Sequence, residues 1–244
     1  MKSSAGTARE IRSALKRGGS AEHAKGVQWF FKEEIRSHGW YTADLRRFAR
    51  KSAREMAASG GDAVKVADAL FRGDNLEEKV FAVLLLEKSV GKFGDKEFKL
   101  FESWLSRVSS WADHDGLVHY LIGPMIAAEP KRAARVFAWA KSRNRWHRRA
   151  ATVGLIRGTR KHLFFPEIKR VTELLRQDQD DMVQKGLGWL LRETAKSDPG
   201  KTVPYLLMIR DRIPRFVLRT ACETLRVEQK RRVLGVAAAE AASS

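Results

Sequence analysis

Apolar residues recur at spacings of three and four along most of the chain, which is the period of an amphipathic helix. The clearest stretch is NLEEKVFAVLLLEKSV, residues 75–90, in which a broad apolar stripe leaves Glu77 and Glu78 to one side. In HLFFPEIKRVTELLRQ, Pro166 suits a first helical turn, and apolar residues follow at helical spacing. Alternating apolar and polar runs are nearly absent, and so are Asn-Gly and Asp-Gly hairpin turns. The pattern therefore predicts an all-α protein.

Helix-breaking residues divide the chain at regular intervals. They fall near positions 38–39, 60–61, 73–74, 91–94, 109–110, 129–130, 143–144, 158–159, 178–180, 198–199 and 213–214. The helices between them form about six pairs, and a pair recurs about every 35–40 residues, as in HEAT-like helical-repeat solenoids. We therefore expect an α-α superhelix with a basic concave groove, although an irregular helical bundle is the alternative.

Three regions are expected along the chain. Residues 1–25 form an N-terminal helix or extension, residues 26–228 form the repeat domain, and residues 229–244 form a flexible tail that ends in AAAEAASS. The N-terminus lacks the apolar core of a secretory signal, and no segment is apolar over the ~20 residues that span a bilayer. Cys222 cannot form an internal disulfide and lies in an apolar helical pattern, which favours a core position in a reducing, cytoplasmic setting.

The charge balance points to a polyanionic partner. The chain has 47 Lys and Arg residues against 29 Asp and Glu residues, a formal net charge of +18. Such a charge opposes compaction through self-repulsion, but it favours nucleic acid, because each neutralised phosphate releases a counterion. A charge that serves only solubility, or a membrane surface as partner, is a weaker explanation. No helix separates a basic face from a Trp- and Leu-rich face cleanly enough for membrane binding.

The sequence lacks the common cofactor and metal motifs. No Walker loop, GxGxxG, HExxH or CxxC occurs. His114 and His119 are five residues apart, which on a helix directs them about 140° apart and away from a shared ion. We therefore expect no cofactor and no metal.

The segment SSWADHDGLVHYLIG contains a possible acid site. Ser110 is typical of a helix N-cap, and Trp111 and Asp115 share a face because they are four residues apart. Asp113 lies over the first turn, where a carboxylate favours the helix dipole. Without further support, Trp111 would be interpreted as a core aromatic and Asp115 as a surface acid.

Two more segments combine basic and aromatic residues. Residues 131–149 hold eight Lys and Arg residues and no acid, and Trp139 and Trp146 interrupt the run. This mixture is typical of phosphate contact with base stacking, and the basic side chains and the Trp expected to bind DNA there are Arg145, Trp146 and Arg148. The alternative is a solvated face with Trp139 in the core.

The segment VQKGLGWLLRETAKSDPG places Lys185, Trp189 and Arg192 on one helical face. Gly186 and Gly188 interrupt the same helix, and each costs about 1 kcal/mol relative to Ala. Such glycines are tolerated where a helix or a ligand comes close to the backbone. A buried core position is the alternative for Trp189.

The three segments, in this order, resemble the AlkD-type alkylpurine DNA glycosylases of the DNA alkylation repair (HEAT-like repeat) family. The matching stretches are WxxxD at 111–115, SxNxWxRRAA at 142–151 and GWLLRE at 188–193, and RFVLRTA around Arg219 is similar to the family's last helix pair. The resemblance covers residues 26–225. Ala112 departs from the pattern, since an acidic residue is common there, and His114 is also unusual.

This resemblance implies a monomeric enzyme that removes cationic alkylated purines, N3-methyladenine and N7-methylguanine, from double-stranded DNA. Its catalytic residues carry over by motif position to Trp111, Asp115, Arg149 and Trp189. Asp115 is preferred to Asp113 for its spacing from Trp111, and Arg149 to Arg148 because it directly precedes Ala150. The residues expected to contact DNA are Trp40, Tyr41, Arg145, Trp146, Arg148, Lys185, Arg192 and Arg219, and Trp29 is a further candidate.

Two other functions are compatible with the sequence. A non-catalytic relative could bind branched or distorted DNA through the same basic groove without needing Asp115. A helical scaffold for proteins or RNA is the third possibility. Weak salt dependence of DNA binding would favour the scaffold, because several phosphate contacts predict a steep loss of affinity with salt.

Overall fold

The computed structural model describes residues 3–235, and these residues are helical with connecting loops. Within them, β-type pairing is confined to an isolated bridge between Arg36 and Asn75. The chain divides into two compact units, Met1–Met125 and Ile126–Ser244. The prediction of an all-α protein is confirmed.

Unit 1 is built from seven helices that lie wholly within it among the described residues. They are α1 Ser4–Gly18, α2 Ala21–Gln28, α3 Thr42–Ala58, α4 Ala63–Phe71, α5 Leu76–Leu86, α6 Asp95–Trp104 and α7 Trp111–Leu117. Short 3-10 segments follow α5 and α6, at Glu87–Lys92 and Leu105–Arg107, and a π-helical turn, Val118–Ile122, continues from α7. Helix α8, Gly123–Ala128, contains the boundary between the units.

Unit 2 continues with a 3-10 turn, Pro130–Ala134, and eight further helices among the described residues. They are α9 Arg135–Ala140, α10 Arg145–Val153, α11 Ile156–Thr159, α12 Phe165–Leu175, α13 Asp181–Ser197, α14 Pro199–Ile209, α15 Arg215–Ala221 and α16 Val227–Leu234. Pro166 lies in the first turn of α12, as its position predicts.

One helix of each pair recurs with a nearly constant period. These row helices begin at Thr42, Leu76, Trp111, Arg145, Asp181 and Arg215, so that successive starts are 34 to 36 residues apart. Within unit 1, α5 packs against both α3 and α7, and within unit 2, α13 packs against both α10 and α15. This neighbour-to-neighbour packing is characteristic of a helical repeat, and it confirms the repeat predicted from the spacing of the helix breaks.

Helix α5 is buried on all sides, and in this respect the sequence-based interpretation was wrong. Glu77 and Glu78 are buried, although they lie off the apolar stripe. Glu77 accepts hydrogen bonds from the backbone N–H groups of His38, Gly39 and Trp40, and Glu78 pairs with Arg12. Buried carboxylates are tolerated where such partners replace water, so that α5 uses its acids to attach the preceding loop and α1.

The N-terminal helix is part of unit 1 rather than an extension. Helix α1 packs against α4, and its residues Ile11 and Leu15 are buried. At the other end of the chain, α16 packs against α14 and buries Val233, so the helical structure continues beyond the expected boundary at residue 228. Residues 236–244, which include the AAAEAASS segment, lie outside the described residues.

Cys222 follows α15 and is fully buried, as its apolar pattern predicts. Burial raises the pKa of its thiol to about 11, because the charged thiolate is poorly solvated there. The thiol is therefore a packing group and a poor nucleophile at neutral pH.

Candidate active site

The start of helix α7 is fixed by a reciprocal cap. Ser110 is the N-cap, its side chain accepts from the backbone N–H of Asp113, and the Asp113 carboxylate in turn accepts from the backbone N–H of Ser110 at 2.7 Å. The carboxylate also accepts from the hydroxyl of Ser110 and from the backbone of Ser109. This geometry confirms that Asp113 supports the helix start, and it fixes the turn that carries Trp111.

A buried lysine completes this cap. Lys79, on α5, is 2% exposed, and its Nζ lies 3.4 Å from Oδ2 of Asp113, which is fully buried. Nζ also donates to the carbonyl of Arg107 and the hydroxyl of Ser109. This ion pair could not be predicted from the sequence, because Lys79 and Asp113 are 34 residues apart on different helices.

Trp111 is held by the N-terminal part of unit 1. Its ring stacks on Phe31, with centroids 5.1 Å apart and planes 20° apart, and its Nε1–H donates to the carbonyl of Phe30. The side chain is only partly buried. Phe30 and Phe31 are therefore neighbours of the candidate site that the motif-based reasoning missed, although both lie within residues 26–225.

Asp115 lies one helical turn after Trp111 and on the same face of α7. Its Oδ1 lies 2.6 Å from Nδ1 of His114, whose side chain is fully buried, and the Asp115 side chain itself is 21% exposed. The Asp115 carboxylate thus contacts a buried side chain and is also accessible to solvent. These are the properties expected of a carboxylate that acts on a bound substrate.

The position of Asp115 within the repeat is unusual. The fifth residues of the six row helices are Arg46, Val80, Asp115, Arg149, Lys185 and Arg219. A cation occupies this position in four helices and an acid in α7 alone. Asp115 and Arg149, which are candidates for catalysis, therefore occupy the same repeat position as Lys185 and Arg219, which are candidates for DNA binding.

Arg149 is buried on α10 in unit 2. Its exposed fraction is 6%, and its guanidinium donates to the carbonyl of Met182 at the start of α13. The close approach of α10 and α13 explains Gly186, since a Cβ there would lie 2.6 Å from the hydroxyl of Thr152 and 3.3 Å from Cγ of Arg149. Gly188 faces Thr220 of α15 in the same way, so both glycines serve helix packing.

Arg148 has a different environment from Arg149. Its Nε lies 2.6 Å from Oδ2 of Asp178, and Nη1 donates to the carbonyls of Ser142 and Arg143. The Asp178 side chain is 9% exposed and that of Arg148 is 20% exposed. Arg148 thereby ties the loop before α10 to the loop before α13, which is an architectural task.

We expect Arg148→Ala to lower the free energy of unfolding by about 2 kcal/mol, because it leaves the Asp178 carboxylate poorly compensated in a largely buried position. Urea denaturation followed by circular dichroism measures this effect. Lys65→Ala is the matched control, since its pair with Asp62 is exposed and exposed pairs contribute roughly 0–1 kcal/mol. Equal stability of the two variants would contradict the architectural role.

Other candidates in unit 2 remain accessible. Trp189 is partly buried on α13, Lys185 and Arg219 are exposed, and the side chain of Arg192 is 31% exposed. Lys185 pairs with Asp181, and Arg192 pairs with Glu193 and Glu223. Arg219 has no ion pair among the described residues, so that its charge is the least neutralised of this group.

Arg145 and Trp146 form one stacked pair at the start of α10. The guanidinium carbon of Arg145 lies 4.5 Å from the centroid of the Trp146 ring, and its Nη1 lies 3.4 Å from Oδ2 of Asp180. Trp146 is 6% exposed, so its ring packs in the core. That burial contradicts the expectation that Trp146 stacks on bases.

Trp40 is also structural, whereas Tyr41 is a surface residue. The indole N–H of Trp40 donates to the carbonyl of Leu15 at 2.7 Å, and its ring covers Gly18, so the ring joins α1 to the start of α3. Tyr41 is 60% exposed and stacks on His23 with centroids 4.1 Å apart. Of the two, Tyr41 alone offers a ring to a partner.

The described residues contain no group of three or more His, Cys, Asp or Glu side chains arranged to hold a metal ion. None of the helices in residues 3–235 is long and apolar enough to cross a membrane.

Comparison with known proteins places the chain in a family. The model of the family described as DNA alkylation repair enzyme matches residues 11–225. Among solved structures, a predicted DNA alkylation repair enzyme from Enterococcus faecalis is similar with a TM-score of 0.75 and 18% identity, over 86% of this chain and 97% of that one. The crystal structure of smu.31 from Streptococcus mutans UA159 is similar with a TM-score of 0.51 and 20% identity, over 75% of this chain and 100% of that one. No curated protein matches.

Proposed function

Because the chain belongs to the DNA alkylation repair enzyme family, we propose that it is a monofunctional DNA glycosylase that removes cationic alkylated purines from duplex DNA. The observation that carries this proposal is Asp115. It is the acid in a repeat position otherwise held mainly by cations, it is partly exposed, and it shares a helix face with Trp111. A protein that only binds DNA has no use for a carboxylate there, since the carboxylate repels phosphate.

The reaction follows from the chemistry of the substrate. In N7-methylguanine and N3-methyladenine the base carries a positive charge, and when the bond from C1′ to the base nitrogen breaks, its electron pair leaves with the base and neutralises that charge. Positive charge then develops on the sugar as an oxocarbenium ion, which a carboxylate and an aromatic face stabilise. Water adds to C1′ and loses a proton, so that a free base and an abasic site are formed.

The four residues proposed for catalysis are described unit by unit. Unit 1 supplies Trp111 and Asp115, which we assign to the sugar and the developing charge. In unit 2, we assign the partly buried Trp189 to the face of a nucleotide. Arg149 is buried and donates to the carbonyl of Met182, so we assign it to holding α10 against α13, the helix that carries Trp189. Lys185, Arg192 and Arg219 extend the basic surface of unit 2.

Base release tests the proposal directly. Purified protein is incubated with duplex DNA that contains one N7-methylguanine, and released base is measured by chromatography alongside alkali-dependent strand cleavage. We expect free methylated base and an abasic site, with no strand cleavage before alkali treatment. Binding without release would overturn the glycosylase and favour a protein that only recognises distorted DNA.

The aromatic turn after α2 provides a prediction for DNA binding. Trp29 is 91% exposed and Phe30 is 75% exposed, and the carbonyl of Phe30 holds Trp111. Stacking on a base contributes about 1–3 kcal/mol, so we expect the double variant Trp29→Ala/Phe30→Ala to bind DNA at least about 10-fold more weakly. Its stability should be unchanged because neither side chain is buried, and fluorescence anisotropy measures the affinity.

Met208→Ala is the matched control for that variant, because Met208 is an exposed apolar side chain on α14 with 60% exposure. It should bind DNA like the wild-type protein. Wild-type affinity in the double variant would show that the turn does not touch DNA.

A further inference from the structure

His114 and Asp115 form a close pair inside α7. Nδ1 of His114 lies 2.6 Å from Oδ1 of Asp115, and the imidazole is fully buried while the carboxylate reaches the surface. Adjacent residues on a helix do not face each other, so this contact depends on a nitrogen that lies close to the backbone. Nδ1 meets that condition and Nε2 does not.

The contact determines where one imidazole proton lies. An ionised carboxylate can only accept hydrogen bonds, so a nitrogen 2.6 Å from Oδ1 must carry the proton and donate it. His114 therefore has hydrogen on Nδ1. The donor is attached to a ring that cannot rotate freely, because the side chain is fully buried.

The turn that carries the pair is itself rigid. Asp113, next to His114, is fully buried in the cap with Ser110 and in the ion pair with Lys79. The backbone on the N-terminal side of the pair is therefore held by groups that are not exposed to solvent. Only the Asp115 side chain, with its two rotatable bonds, still needs to be oriented.

We propose that His114 is a positioning residue, whose Nδ1–H fixes the orientation of the Asp115 carboxylate for charge stabilisation at the sugar. This inference rests on the proposed glycosylase function. A fixed carboxylate does not reorganise while charge develops, which is the main source of electrostatic catalysis. Loss of an orienting hydrogen bond or a misplacement of about 1 Å typically reduces a rate by about 10- to 100-fold.

Three substitutions at His114 separate positioning from packing. The amide nitrogen of Asn lies near the place of Nδ1, that of Gln lies near the place of Nε2, and Leu fills volume without any donor. We expect His114→Gln and His114→Leu to release base about 10- to 100-fold more slowly than wild type under single-turnover conditions with excess enzyme. His114→Asn should recover most of the rate, although it leaves the largest cavity.

Affinity and stability are measured on the same variants. The dissociation constant for duplex DNA should stay within about twofold of wild type, because His114 is fully buried. Wild-type rates in His114→Gln and His114→Leu would overturn the proposal. The proposal would also be overturned if the rates of base release fell in the same order as the stabilities, with His114→Asn the slowest. That order would show that His114 acts through core packing.

Nuclear magnetic resonance provides a readout that does not depend on base release. In protein labelled with ¹⁵N-histidine, the His114 signal, assigned by its absence in His114→Gln, should show a protonated Nδ1. Asp115→Ala removes the acceptor and should shift that signal. If the signal is unaffected, the pair does not exist in solution. If wild type releases no base but the His114 signal shows the pair, the glycosylase proposal is wrong, whereas the hydrogen bond between His114 and Asp115 is established.

Discussion

Asp115→Asn is expected to reduce the single-turnover rate of base release by about 100- to 1,000-fold. The substitution keeps the shape of the side chain and removes its negative charge, so the oxocarbenium-like transition state loses its electrostatic partner. The ground state loses little, because the charge on the sugar develops only as the bond to the base breaks. DNA affinity should be equal or higher, since a negative charge is removed from a phosphate-binding surface.

Asp74→Asn is the matched control for this experiment. Its carboxylate is 74% exposed and pairs with Arg36 on the surface of the same unit, remote in sequence from α7. It should release base at the wild-type rate. Full activity in Asp115→Asn would remove the basis of the proposed mechanism, whatever the DNA affinity of the variant.

The largest effect on stability is expected from Lys79→Met, at about 3–5 kcal/mol of unfolding free energy. The substitution preserves most of the aliphatic volume but leaves the fully buried Asp113 carboxylate without its cation. It also leaves the carbonyl of Arg107 without a donor. Because Asp113 caps α7, loosening of this pair should disturb Trp111 and Asp115 as well, and base release should fall together with stability.

Lys51→Met is the matched control for Lys79→Met. Lys51 pairs with Glu55 at 3.8 Å, with both side chains largely exposed, so its loss should change stability by less than about 1 kcal/mol. The loss of unfolding free energy in the double variant Lys79→Met/Asp113→Asn should be smaller than the sum of the losses in the two single variants, because neither charge of the pair remains in it. Additive effects would show that the pair is not coupled. Urea denaturation measures all four variants.

The repeat could be predicted from the sequence because its signals are local. Glycine, proline and helix-capping residues at regular distances mark the loops, and residues such as Asn75, Ser110 and Asp180 cap the helices that follow them. The burial of α5 could not be predicted in this way. Glu77 accepts hydrogen bonds from a loop 37 to 40 residues earlier in the chain. A contact between such distant residues does not appear in the periodic pattern of the sequence.

The candidate site was accessible to sequence reasoning only in part. The spacing of Trp111 and Asp115 and the cap formed by Asp113 follow from helix geometry. The stacking of Phe31 on Trp111 joins residues 80 positions apart, and the burial of Trp146 depends on how its repeat packs. A run of basic and aromatic residues has the same sequence pattern whether its rings are buried in the core or exposed to a partner, because composition does not specify the orientation of a ring.

The shared repeat position of Asp115, Arg149, Lys185 and Arg219 has an evolutionary consequence. At this position Asp115, Lys185 and Arg219 reach the surface, so each can change without altering the helix packing, whereas Arg149 is buried. Under the proposed function, replacing Asp115 by a cation would remove the carboxylate from the site and leave the repeat architecture in place. Under the proposed function, the residue at this one position would therefore separate a glycosylase from a relative that only binds DNA.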